Sequence, residues 1–546
     1  MALMDPVRAY HERSKHRPER YAPGPGGLDW DSQPDPFRRH AGAPQLDLPL
    51  LAGELPVGWD DLFGADRIPP WPMNVDSVAC LLQLSLGLSA WKSYGGNRWA
   101  LRCNPSSGNL HPTEGYLICP ELPGVPAGVH HYRPDRHCLE QRVAAPFGWS
   151  GGILVALTGI HWREAWKYGM RAFRYCQHDC GHALAALAYA AAALGWPARL
   201  LEDWGDEEIA ALTGVDRADD FVAAEAEAPE AVAWIGPGDA PAASAVLARL
   251  AEAGWAGQAN VLSTSHRDWP DIAAVATATG KPAGVPAADE TAEPPEPPPA
   301  PLSTPPALPP ASREPVSRLI RRRRSAQAFD GVTVIDAARF YRILDALLPR
   351  PGLPPWSLPA HADAVARVHP VLFVHRVAGL EPGIYCLPRT PEALAELRAA
   401  MRPDWLWARV PDCPAHLPLY LLAPLDARQF AAGVSCHQEI AADSAFALAM
   451  LARFDDIDVS RPWRYRRRFW EAGMLGQALY LEAEAAGLQG TGIGCYFDDA
   501  VHDALGLDTA RFQDFYHFTV GQAVIDARLG SEPAYAHLAG DARRRI

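Results

Sequence analysis

The chain has 546 residues, 48% of them hydrophobic, and a formal net charge of -14. That length exceeds what one hydrophobic core supports, so two or more domains are expected, and the apolar content is enough to build them. The acidic balance disfavours a nucleic-acid partner, whose phosphates call for a basic face, and the ten cysteines show no paired framework of the kind a secreted scaffold carries.

The charged run 1–17 is followed by no apolar core, so no secretory signal is read there and a cytoplasmic location is expected. The densest chemistry of the first half lies in NPSSGNLHPTE, residues 104–114. Pro105 and Pro112 fix the backbone, Gly108 permits close approach, and Ser106, Ser107 and Asn109 bring hydroxyl and amide groups that can face the heteroatoms of a flat polar ring. An ordinary surface turn draws on the same residues. GYLIC (115–119) and GVHHY (128–132) then read as strand, turn, strand. Gly148 to Gly152 fits the Gly-x-Ser-x-Gly pattern, but the strand-like ILVALTGI follows it instead of preceding it, which argues against a nucleophile elbow. Cys176, His178, Cys180 and His182 fall on two faces of a helix, so no metal site is expected. The alanine-rich stretch 182–201 also carries Tyr189 and Arg199 and reads as a buried helix, not a membrane span.

Between 283 and 315 the sequence is dominated by proline and lacks the aromatic and branched residues that build a core. We therefore expect a first domain over 1–260, a Pro/Ala-rich linker over 261–314 and a second domain over 315–546. The two sides repeat each other. His111-Pro112, its strand and Gly128 find counterparts in His369-Pro370, VLFVH and Gly383, and DCGHALAALAYAAAALG (179–195) parallels EAGMLGQALYLEAEAAG (471–487). A duplicated α+β unit explains both matches in the same order. In the second half, Arg321 to Arg324 with Ser325 and Gln327 offer guanidinium forks and a hydroxyl suited to a phosphate, although a solvated basic run would look the same. Gly490, Gly492 and Gly494 read as a turn closing a long helix, and Arg528 follows the strand-like FTVGQAVI.

Together these pieces resemble the flavin-dependent nitroreductase superfamily, in particular a tandem-domain form of its SagB-type azoline dehydrogenase branch. The resemblance rests on LDWDSQPDPFR, NPSSGNLHPTEGYL and WKYGMRAFRY in the first half, and on RRRRSAQAFDG, GLEPGIY and GTGIGCYFDD running into VGQAVIDAR in the second. It implies an α+β fold with a central antiparallel sheet flanked by helices in each of two fused domains, paired as an intramolecular pseudo-dimer. It also implies FMN as cofactor, bound between the partners. Pro105, Ser106, Ser107 and Asn109 would face the ring system, while Arg323, Arg324, Ser325, Gln327, Gly490, Gly492 and Arg528 would hold the phosphate end. The first half offers only Arg13, Ser14, Lys15 and His16 for a phosphate, and Trp356 to His361 of the second lacks the asparagine, so one complete site per chain is expected. Gln327 stands where the family has Arg or Lys. By the same resemblance Lys167 and Tyr168 form the catalytic pair, since a partly desolvated lysine near cationic groups is a usable base.

The implied reaction is oxidation of azoline rings in a modified peptide to azoles, with a peptide or small-molecule substrate and a cyclodehydratase partner. An NAD(P)H-dependent nitro or quinone reductase and a flavin-free peptide-binding pseudoenzyme are the alternatives. No nucleic-acid or membrane partner is implied, and the pseudo-dimer can stand alone or associate further. Segments 203–260 and 389–412 have the variable character of substrate pockets and name no ligand.

Overall fold

The computed structural model describes residues 5–64, 68–285, 305–358, 366–540 and 544–546. Each half is built on a seven-stranded, wholly antiparallel sheet. In the first the order across the sheet is Gln45–Asp47, Cys138–Ala144, Gly128–Arg133, Thr113–Cys119, Ile153–Gly159, Ala228–Ile235 and Ala198–Leu200. In the second it is Ala408–Arg409, Tyr420–Pro424, Gly383–Cys386, Val368–Val374, Phe446–Arg453, Phe512–Gly521 and Gln489–Ile493. Six strands follow the same order in both sheets; the seventh, at the edge, precedes the others in the first half (Gln45–Asp47) and falls between two sheet strands in the second (Ala408–Arg409), while Thr113–Cys119 and Val368–Val374 stand at the centre of each. Both central strands are buried along their whole length. They show no exposed polar alternation, because each face of the sheet is covered, and their polar members Thr113, Glu114 and His369 are themselves buried.

Two 22-residue helices, Ala172–Ala193 and Arg464–Ala485, pack against each other between the sheets. Their contact is backbone on backbone. A Cβ on Gly181 would lie 2.2 Å from the Trp470 carbonyl oxygen, and one on Gly473 2.2 Å from the His178 carbonyl oxygen. Only residues without a side chain allow this approach. Pairing Gly181 with Gly473 superposes the two helices end to end, and carries Asp206–Thr213 onto Asp498–Leu505. Each of those shorter helices stops at a left-handed glycine, Gly214 (φ 74°) and Gly506 (φ 57°), as a helix C-terminus favours. The crossing helices carry one apolar cluster across both halves, uniting Trp59, Leu184, Leu187 and Tyr189 with Phe340, Leu475, Leu479 and Leu481. At about 1.5–3 kcal/mol per fully buried side chain, this shared core makes the halves one cooperative body. Among the described residues no helix is long and apolar enough to cross a membrane.

The halves also exchange their ends. The N-terminal helix Pro6–Arg13 leaves the first sheet and sets His11 between the Tyr465 hydroxyl and Gln513 Oε1, 3.1 Å from each. The C-terminal strand Gly530–Pro533 joins the hairpin Leu88–Tyr94 and Asn97–Arg102 of the first half as a third strand. Within the expected linker, helix Pro270–Ala278 packs beneath the N-terminal helix through buried Ile272 and Val275. Branched and aromatic residues persist to that point, so core-building continues there and the proline run starts only beyond it. Of the rest, 286–304 lie outside the described residues, while Ala311 and Ser312 donate to the Asp60 carboxylate.

Candidate active site between the two halves

The loop 104–112 turns through three left-handed residues, Gly108 (φ 61°), Asn109 (φ 57°) and His111 (φ 53°). Ser106 holds it closed: its hydroxyl accepts from the His111 amide at 3.0 Å and meets His111 Nδ1 at 3.0 Å, while Nε2 of that ring meets the Ala100 carbonyl at 3.0 Å. Pro105 is buried below, and Ser106, Ser107 and Asn109 are half-exposed at the rim. The Ser107 amide points inward to the Asp179 carboxylate at 3.3 Å. Asp179 is buried against Glu164; burial raises both carboxyls well above their usual range, and for Glu164 the Asp179 charge adds to it. The pair therefore retains a proton near neutrality.

Glu164 lies one turn before Lys167 and Tyr168 on helix His161–Tyr168, and this spacing places all three on one face. That face meets the loop. A Cβ on Gly108 would sit 2.6 Å from the Tyr168 hydroxyl and 3.0 Å from Lys167 Nζ, so glycine is needed there for space as well as for φ. Lys167 Nζ stands 5.3 Å from the Tyr168 ring centre. Burial, then the Glu164 charge and the Tyr175 phenol, hold the Tyr168 hydroxyl protonated far above its ordinary range, so it acts as a donor. Its ring meets Tyr175 edge-on at 4.7 Å, and Tyr175 donates to the Gly494 carbonyl of the second half at 3.1 Å.

The basic cluster approaches from the other side. Arg323 is buried, its guanidinium 4.8 Å from the Tyr480 ring centre, with Nη2 donating to the Arg102 carbonyl at 3.0 Å. Its Nε and Nη1 have no partner, and neither has the buried Oδ1 of Asn104 at the start of the loop. Unpaired guanidinium donors in a buried position are costly without an acceptor, and they suit an anion. Arg324 donates to the Ser89 carbonyl at 3.2 Å, and burial, reinforced by Arg323, draws it down to about 10. Ser325 shares a 2.8 Å hydrogen bond with the Tyr480 hydroxyl, which accepts from the Gly492 amide at 3.0 Å. The predicted loop, the Lys-Tyr pair, Arg323, Arg324, Ser325 and Gly492 thus border one interface.

Other predicted residues sit differently. Gly490 and Gly492 form no turn; they belong to strand Gln489–Ile493, where a Cβ would strike Phe518 and the Tyr516 hydroxyl of the neighbouring strand. Close strand packing accounts for both glycines. Gln327 is exposed. Arg528 is also exposed, pairs with Asp526 at 2.7 Å and lies 5.7 Å from the Tyr94 ring centre on the hairpin of the first half, so the structure does not bring it to the cluster. Arg321 pairs with Glu54, and Arg322 with Glu314 and Glu484. Ser14 and Lys15 serve the interface: the Ser14 carbonyl accepts from Arg171 and Lys15 pairs with Asp499 at 2.9 Å. Pro359, Ala360 and His361 lie outside the described residues.

Glu164, Asp179, Tyr480 and Tyr516 were not read from the sequence. Glu164 had a signal, the i, i+3 spacing to Lys167; the others are single residues on long helices and a strand, with no local pattern. His178 and His182 line the interface as packing groups. His178 stacks on Tyr516 at 4.1 Å and meets the Phe515 carbonyl, while His182 lies between Gln477 and the Tyr516 hydroxyl. Among the described residues no three His, Cys, Asp or Glu side chains gather in a metal-binding group.

Residues 320–522 match the model of the Nitroreductase family. The trifolitoxin-processing protein TfxB of Rhizobium leguminosarum bv. trifolii is 27% identical over 193 residues, 31% of this chain and 52% of that protein, so the match spans about half the curated relative's length. A crystal structure of a protein from Anabaena variabilis assigned as a nitroreductase superposes with a TM-score of 0.66 at 21% identity, covering 96% of this chain and 100% of that one. A chain of the E. coli microcin synthetase McbBCD complex aligns over 38% of this chain and 70% of its own length, at 16% identity and a TM-score of 0.28. Residues 320–522 thus carry the Nitroreductase family pattern, and the chain shares its fold along nearly its whole length with a protein assigned to nitroreductases.

Proposed function

We propose that the chain is an FMN-dependent dehydrogenase that oxidises azoline rings of a modified peptide, with one flavin site per chain. The observation that carries this reading is the convergence, at one interface, of the unpaired Arg323 donors from the second half with the loop and the Lys-Tyr pair from the first. Arg323, Arg324 and Ser325 would hold the phosphate; Ser107 and Asn109 would face the ring system. Bound FMN would supply a hydride acceptor, as flavins do. Lys167 removes the proton from the substrate ring, and the Tyr168 hydroxyl donates a hydrogen bond that orients it. TfxB is a trifolitoxin-processing protein, which fits a peptide substrate; a cyclodehydratase would act before this enzyme.

The single site follows from the pseudo-symmetry. Superposing Gly181 on Gly473 sets Leu200 where the working site has Gly492, Glu202 for Gly494, Arg467 for Tyr175, Trp470 for His178, and Val459-Ser460 for Lys167-Tyr168. The Arg174–Asp498 pair recurs as Arg466–Asp206, so the scaffold is kept. Leu200, Leu201, Trp204, Arg467 and Trp470 line the corresponding pocket, and these bulky side chains support a single flavin site.

Flavin content and turnover test the reading. Purified protein should carry close to one FMN per chain, and Arg323→Ala should lower that ratio; a ratio near two or near zero overturns it. An azoline-containing peptide should be oxidised, and Lys167→Ala should slow this by about 10²–10⁴-fold. Rapid bleaching of the flavin by NADH or NADPH would instead favour the reductase.

A further inference from the structure

Of the ten cysteines, seven are buried and three are partly exposed, Cys413, Cys436 and Cys495. Two of these three face each other, with Cys436 Sγ 2.8 Å from Cys495 Sγ. They come from segments far apart in the sequence. Cys436 follows helix Arg428–Val434, and Cys495 follows strand Gln489–Ile493. The first is held in an uncommon conformation: Cys436 (φ 54°) and His437 (φ 60°) are consecutive left-handed residues, each costing on the order of 1 kcal/mol or more. Their surroundings over-determine that turn. Ser435 meets His517 Nδ1 at 3.1 Å, the Phe497 amide donates to the Val434 carbonyl at 2.8 Å, and Gln438 Nε2 donates to the carbonyls of both Ser435 (2.8 Å) and Cys495 (2.9 Å). Gln438 thereby clasps the two cysteine-bearing segments together.

The environment divides labour between the sulfurs. The hydrogen bond shared with Cys436, then, against burial, His16 and Arg171, draw the Cys495 thiol below its ordinary range. The same shared hydrogen bond, with burial, displaces Cys436 upward. Asp498 and Tyr21 also face this pair. A half-exposed thiolate beside a protonated thiol is the arrangement of an attacking cysteine and its resolving partner. The pair also adjoins the candidate active site, since Gly494, the residue before Cys495, accepts from Tyr175, whose ring meets Tyr168.

We propose that Cys436 and Cys495 are a redox-active dithiol beside the Tyr168–Tyr175 pair, closing to an intramolecular disulfide by exchange with low-molecular-weight disulfides. In the first step the Cys495 thiolate attacks one sulfur of the small disulfide, forming a mixed disulfide and expelling a thiolate. Cys436 then gives up its proton and attacks the Cys495 sulfur; the Cys436–Cys495 bond forms and the second small thiolate leaves. The protein loses two electrons and two protons, and the small disulfide is reduced to two thiols. This assignment is independent of the flavin reading, because it needs only the two cysteines and the turn that aims one at the other.

The test uses the full-length protein with glutathione disulfide as oxidant and intact-mass and peptide analysis as readout. The wild type should lose two hydrogens and yield a peptide linking 436 to 495, reversed by dithiothreitol. Cys436→Ser should stop at a glutathione adduct on Cys495, and Cys495→Ser should react at least about 10-fold more slowly, its remaining thiol being mostly protonated. Phenylarsine oxide, which bridges adjacent thiols, should block the reaction in the wild type. A wild-type protein that gains glutathione on Cys413 alone, forms no 436–495 link, or reacts at the same rate as Cys495→Ser overturns the proposal. Both single variants retain folded helix content by circular dichroism if the outcome is to count, and a Cys413→Ser variant should behave as wild type.

Discussion

His131 shows how one buried side chain can set the acid–base behaviour of a domain. It is fully buried between Glu114 and Glu140, each 3.1 Å from a ring nitrogen. Burial alone would favour the neutral ring, but the two carboxylates outweigh it and hold the imidazolium up to about 9. Against burial, Arg163 keeps Glu114 ionised, and Arg163 also donates to the carbonyl of His111 in the loop 104–112. Because the folded value lies above the unfolded value of about 6.5, the stabilisation is complete below pH 6.5 and is lost as pH rises through 9. Urea denaturation between pH 6 and 10 should show stability falling by up to about 3 kcal/mol. His131→Gln should be less stable at pH 6 and should flatten that decline; an unchanged slope would remove His131 as its source. None of this was legible in the sequence, where His130-His131 read only as part of a strand. The two carboxylates reach His131 from neighbouring strands, so the cluster exists only once the sheet has assembled.

At the level of elements, the crossing of the two long helices is the contact that admits least change. Gly181→Val would drive a branched side chain into the Trp470 carbonyl, and overpacking of this kind costs about 3 kcal/mol. The midpoint of thermal unfolding should fall, whereas Gly487→Ala in the second helix's exit, where nothing lies within 4 Å but φ is 73°, should cost less. The repeat of glycines at these positions was visible in the sequence, and it located both helices as counterparts, while their contact appears only in the fold. The strands at His111-Pro112 and His369-Pro370 were visible because their apolar stretches YLIC and VLFV, buried on both faces, stand beside the same His-Pro marker. Gly490 and Gly492 misled because a glycine that relieves crowding beneath Tyr516 and Phe518 has the same local signature as one that makes a turn. Arg528 misled because its position after a strand matched the family pattern, while the chain there veers across to the hairpin of the other half. The loop 104–112 was legible because its shape, with left-handed Gly108, Asn109 and His111, demands Gly and Asn. Asp179 and Tyr480 owe their place to tertiary contact alone.

For the molecule as a whole, the features that join the halves outnumber those that separate them. Asp498 of the second half binds Arg174 and Arg171 of the first, the latter at 2.9 Å, and accepts from the backbone of His16. Buried pairs of this kind are costly to break, because either partner left alone remains charged and dry. The N-terminal helix lies on the second half, and the strand Gly530–Pro533 and the Ile546 amide, which donates to Leu50, lie on the first. The peptide link between the halves is therefore one tether among several. Polypeptides 1–285 and 305–546 produced in the same cell should find one another and co-purify as a one-to-one complex, while each produced alone should expose the Gly181 or Gly473 face and aggregate. Recovery of two well-behaved, non-associating fragments would contradict this. The exchanged ends thus make the protein a ready split reporter, whose reconstitution would read out the proximity of whatever is attached to each piece.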